Sequence, residues 1–201
     1  MILRRILATA VLLPALLSGQ TETEKSAAGH EGHEHADIPG LKTELIEGIP
    51  ESDFMKLGDE PRTLKVTLVA TFTAHNYGMN FNGFSHGKAV YSIPVGWKVD
   101  VHFVNPSPVP HSAIVIERSD TKKLQIAEPY FEGAGVEKHL QGLALTTGDF
   151  TFTPDEEGEF AFACGFPAHA VAGHWLSLEI VAGDQKPSIQ LGEDAEVKIL
   201  D

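Results

Sequence analysis

Residues 159–180 read EFAFACGFPAHAVAGHWLSLEI. Phe160, Phe162 and Cys164 share one face and alternate with Glu159, Ala161 and Ala163. After the loop, Leu176, Leu178 and Ile180 alternate with Trp175, Ser177 and Glu179. A period of two is the signature of a half-buried strand. The segment is therefore a strand, a Pro- and Gly-containing loop, and a second strand. The loop carries C-x₄-H-x₄-H: Cys164, His169 and His174. A thiol and two imidazoles within eleven residues make half of a metal cage.

The same period extends outward. Leu64, Val66, Leu68, Ala70 and Phe72 alternate with Lys65, Thr67 and Thr71. Trp97, Val99, Val101 and Phe103 alternate with Lys98, Asp100 and His102. Ala113 to Glu117 is a short apolar run, and Phe150 and Phe152 alternate with Thr151 and Thr153. Turn signals punctuate these runs at Pro94-Val95-Gly96, Asn105-Pro106, Thr147-Gly148-Asp149, Pro154-Asp155 and Glu157-Gly158. Many short strands without a long helical period predict an all-β sandwich or barrel. No internal repeat is evident.

Beyond the strands, Arg4-Arg5 precedes the apolar run Ile6 to Leu17, the pattern of an export signal over residues 1–20. That run is shorter than the roughly 20 apolar residues a spanning helix needs. Gln20 stands where a lipoprotein site would need Cys. Residues 21–60 are polar and include His30, His33 and His35, so they read as a His-containing linker. Those three His can capture metal loosely, though a solvated tether is the simpler reading. The domain is placed at 61–183, and 184–201 is an acidic C-terminal tail with room for one edge strand.

Composition narrows the function. The chain has 201 residues, 15 Lys+Arg against 28 Asp+Glu, and a net charge of −13. That balance opposes nucleic-acid binding, which draws on clustered cations. Removal of residues 1–20, with two Arg and no acid, leaves a net of −15. One Cys excludes an internal disulfide. A free thiol in an exported protein is open to oxidation, and metal ligation would protect it. No catalytic triad, phosphate loop or pair of catalytic carboxylates is evident; Ser85-His86 has no supporting motif.

His111, in Pro108-Val109-Pro110-His111-Ser112, follows the strand ending at Val104 and lies at another strand junction. A His₂Cys set with a weak fourth ligand is the geometry of blue-copper electron-transfer sites. Together, Phe81-Asn82-Gly83, Pro94-Val95-Gly96-Trp97, Pro110-His111-Ser112 and Cys164 to Trp175 make residues 64–182 resemble a cupredoxin of the sulfocyanin and rusticyanin type. The resemblance implies a Greek-key β-sandwich and one copper ion cycling between Cu(I) and Cu(II). It also implies His111, Cys164 and His169 as equatorial ligands. The family carries Met where this chain has His174, so His174 is the expected axial ligand. Imidazole is a stronger donor than thioether, which implies a lower reduction potential and a green or red colour. Met79 is a packing residue or an unusual ligand. Zn²⁺ in a Cys-His₃ set is the competing metal. Ser112 either hydrogen-bonds the Cys164 sulfur or merely starts the next strand. His75, His86, His102 and His139 are expected at the surface.

The resulting expectation is an extracytoplasmic or periplasmic electron carrier, monomeric or weakly oligomeric. Its partners would be redox proteins such as cytochromes or a terminal oxidase, with no membrane span after signal cleavage. Two alternatives come from other classes. A copper oxidoreductase acting on a small molecule such as nitric oxide would need a labile ligand. A copper storage or delivery protein would hold several loose ions.

Overall fold

The computed structural model describes residues 38–126 and 128–201. The expected signal (1–20) and His30, His33 and His35 lie outside the described residues. Within them, β1 (Met55–Leu57), β2 (Thr63–Val69), β4 (Lys98–Asn105) and β6 (Thr146–Phe152) form one sheet in the order β1-β2-β4-β6. The second sheet contains β3 (Ala89–Pro94), β5 (Ile114–Glu117), β7 (Gly158–Ala163), β8 (Trp175–Val181), β9 (Ser188–Leu191) and β10 (Lys198–Ile199). Its order is β10-β9-β3-β8-β7-β5. Among the described residues, helical structure is confined to short 3-10 segments, and no helix is long and apolar enough to cross a membrane.

The alternating residues meet across the sheets as their period requires. Parallel pairing of β2 with β4 sets Leu64, Val66 and Leu68 beside Val99, Val101 and Phe103. Antiparallel pairing of β7 with β8 sets Phe160 beside Leu178 and Phe162 beside Leu176. The two apolar faces close on each other through Phe152 and Phe162, whose rings meet edge to face at 6.3 Å. Burying each such aliphatic or aromatic side chain stabilises the fold by roughly 1.5–3 kcal/mol. The expected all-β sandwich is the fold observed.

Strand β3 was not legible as a strand in the sequence, although Ala89, Tyr91 and Ile93 are all fully buried. It pairs in parallel with β8 and antiparallel with β9, and Asn82 ties its Tyr91 to β2. The Asn82 amide donates to Thr67 O at 2.8 Å and Tyr91 Oη at 3.0 Å, and its carbonyl oxygen accepts from Val69 N at 2.7 Å. Asn82 has φ +54°, a left-handed conformation that Asn tolerates better than most residues.

Two boundaries need correction. The described part of the expected linker, residues 38–60, is not a solvated tether. Ile46, Phe54 and Met55 are buried in the main core, and β1 pairs with β2. Phe54 meets Phe72 edge to face at 5.6 Å. These apolar residues are too sparse among Glu, Gly and Pro to show a period. Likewise residues 184–201 are joined to the second sheet, because β9 pairs with β3, β10 pairs with β9, and Ile189 is buried.

Candidate metal centre

His111 is delivered by the turn that follows β4. The Asn105 amide donates to Val109 O at 2.8 Å and to Leu143 O at 2.5 Å. His111 then exchanges backbone hydrogen bonds with Leu143, at 3.0 and 2.7 Å. Pro108 and Pro110 remove donors and set φ, so the turn has few alternatives. The ring is buried, its Nε2 stands 3.1 Å from Thr71 Oγ1, and its Nδ1 has no hydrogen-bond partner.

Cys164 follows β7, and the loop beyond it closes on itself. Cys164 N donates to His174 O, and His174 N donates to His169 O, both at 3.0 Å. Gly173 sits at φ +92°, a backbone conformation that L side chains rarely adopt, and a Cβ there would also displace the His86 ring. The Cys164 sulfur lies 3.4 Å from His169 Nδ1. Ser112 lies two residues before β5 and does not start it; its N–H donates to Cys164 Sγ at 3.3 Å. Its hydroxyl also accepts from Gly165 N at 2.9 Å.

The structure thus brings all four expected residues together. Ligand atoms of His111, Cys164, His169 and His174 lie within 4.8 Å of one another. Their rings pack at 4.8 Å (His111 and His174), 5.0 Å (His111 and His169) and 6.0 Å (His169 and His174). His174 is fully buried under Phe81, with ring centroids 4.2 Å apart, and neither of its nitrogens makes a hydrogen bond of good geometry. Only His169 among the four is partly open to solvent.

The electrostatics suit a cation. Burial, followed by the nearby His169, pushes His111 down to about 3. Burial also lowers His169. Burial and then the His111 and His169 rings hold His174 well below the usual imidazole range, with the Asn80 backbone acting in the opposite sense. The three imidazoles are therefore neutral at pH 7 and offer lone pairs. Burial raises the Cys164 thiol to about 11, against the pull of the Ser112 and Phe166 backbone groups. Without a cation, the cluster is three neutral rings and a thiol, with buried nitrogens left unpaired, an unfavourable arrangement. A soft or borderline cation would pair those nitrogens and stabilise the thiolate.

Other residues fall where the sequence placed them, or close by. Met79 lines a 510 Å³ groove that also touches Thr71, Tyr77, Val109, His111 and His169. His102 is exposed and contacts Asp149 at 2.6 Å. His75 and His86 are exposed and both hydrogen-bond Ser85 Oγ at 3.0 Å. His139 is half-buried, its ring against Gly165. The sequence reading missed Thr71 as a partner of His111 and Phe81 as the cover of His174. No local signal marks Thr71, which lies 40 residues from His111.

Comparison with known proteins places this geometry. The Sulfocyanin (SoxE) domain model matches residues 51–187. A curated sulfocyanin of Sulfolobus acidocaldarius is 28% identical over 130 residues, which is 58% of this chain and 63% of that protein. The match therefore spans less than two thirds of that relative's length. Among solved structures, reduced rusticyanin aligns with TM-score 0.50 and 20% identity over 65% of this chain and 91% of the other, a likeness of fold.

Proposed function

The chain belongs to the sulfocyanin (SoxE) domain family, and from that premise we propose that it is a mononuclear copper protein carrying single electrons between extracytoplasmic redox partners. His111, Cys164, His169 and His174 would hold the ion. When bound, copper supplies the one-electron Cu(I)/Cu(II) couple. The observation that carries this reading is the convergence of one thiol and three neutral imidazoles within 4.8 Å, with His111 Nδ1 and both His174 nitrogens unpaired.

The chain's own residues suit this role. The Ser112 N–H supports negative charge on the Cys164 sulfur. Paired sheets and the closed 164–174 loop hold the donors in place, which keeps rearrangement between oxidation states small. His169 provides the partly exposed edge, flanked by Phe166 at 4.7 Å. Val109 and Val171 are exposed nearby in the two ligand-bearing loops. A small apolar face of this kind fits brief encounters with a redox partner. The net charge of −13 favours steering by a basic one, such as a cytochrome domain.

The test is copper loading followed by metal analysis, optical and EPR spectra. One tightly held, reversibly reducible copper per chain is expected, lost in Cys164→Ser. Several loose ions, or binding indifferent to Cys164→Ser, would overturn the reading. The groove against His111 and His169 favours one alternative, redox chemistry on a small molecule such as nitric oxide. An EPR spectrum altered by azide or nitrite would favour that alternative; an unaltered one supports the carrier.

A further inference from the structure

Thr71 sits in left-handed backbone at φ +54° and is buried. For a β-branched residue this is a true outlier, held only where the surroundings over-determine it. The surroundings impose it. Thr71 N donates to Asn80 O at 3.0 Å, and the Asn80 amide donates to Thr73 O at 2.8 Å and His75 O at 2.7 Å. Gly78 makes room for the Thr71 methyl, which a Cβ at that position would meet at 3.0 Å. What the strained conformation delivers is the hydroxyl: Thr71 Oγ1 stands 3.1 Å from His111 Nε2.

We propose that Thr71 is a positioning residue for the metal centre: its hydroxyl accepts the Nε2–H of His111 and thereby leaves the lone pair on Nδ1, facing the Cys164, His169 and His174 donors. A neutral imidazole carries one N–H, and the partner of one nitrogen decides the role of the other. The opposite tautomer would place an N–H on Nδ1, a buried atom with no partner, and would abolish its capacity to bind a metal. Thr71 thus selects the tautomer and fixes the ring's rotation before any ion arrives. The inference deepens the copper reading and rests on it for its purpose, though not for its geometry.

The experiment compares the protein with Thr71→Val, which keeps the branched shape and removes the acceptor, and with Thr71→Ser, which keeps the acceptor. Nitrogen-15 NMR of the metal-free protein reads the His111 tautomer, and chelator competition reads Cu(II) affinity. The wild type and Thr71→Ser should show His111 as Nε2–H. Thr71→Val should show mixed tautomers and bind copper about 10–100-fold more weakly, the usual cost of losing a partner behind a metal-ligating His. A wild-type His111 protonated on Nδ1 would overturn the assignment even if Thr71→Val failed to fold. So would a folded Thr71→Val with unchanged tautomer and affinity. Failure of the wild type to bind copper would overturn the proposed function while leaving the tautomer result to stand.

Discussion

His174 is the residue at which this chain departs from the pattern it resembles. Burying an imidazole with both nitrogens unpaired costs free energy that a bound ion would offset. The strength of that fourth donor should set the redox balance. His174→Met replaces a good Cu(II) donor by a thioether, so the reduction potential should rise and the colour should shift from green or red towards blue. Voltammetry of the copper-loaded variant checks this; a potential equal to or below wild type would remove His174 from the ligand set. Cys164, His169 and His174 were readable together because one loop carries all three. Thr71 and Phe81 were not, since only packing brings them to the imidazoles.

At the scale of elements, the 38–60 segment and the Asn82 hub make the sharpest predictions. A chain beginning at residue 61 loses β1 together with buried Ile46, Phe54 and Met55. Deleting such side chains costs several kcal/mol, so the melting temperature should fall by about 10–20 °C in a scan against the chain beginning at residue 38. An unchanged melting temperature would return this segment to the status of a tether. Asn82→Ala would strand Val69 N, Thr67 O and the Tyr91 hydroxyl inside the core. Urea denaturation should show a loss of roughly 3 kcal/mol. Strands β2, β4, β7 and β8 were legible because each carries enough alternation to show its period. Strands β1, β9 and β10 are short and set among charged residues, so their pairing depends on neighbours and not on pattern.

For the molecule as a whole, the buried imidazoles couple stability to pH. His111 titrates near its ordinary value in the unfolded chain but only at about 3 when folded and metal-free. Between those values the unfolded state binds the extra proton, so stability falls as pH drops from about 6.5 towards 3. His169 and His174 shift in the same direction and add to the slope. Chemical denaturation of the metal-free protein should therefore show a steep decline across that window. The same titration with His111, His169 and His174 each replaced by Gln should be flatter. A decline of equal steepness in the substituted protein would assign the effect to carboxylates instead.

Local chemistry, written along the chain, was sufficient for the β class, for the strand-loop-strand that carries Cys164, His169 and His174, and for nominating His111. Side-chain alternation and ligand spacing are properties of neighbouring residues and survive without a fold. Tertiary structure alone decided that residues 38–60 complete the core, that Ser112 N–H points at the sulfur, and that a strained Thr71 grips His111. Each of those depends on groups tens of positions apart being brought to about 3 Å or into one core by sheet pairing, and no local pattern records such an encounter.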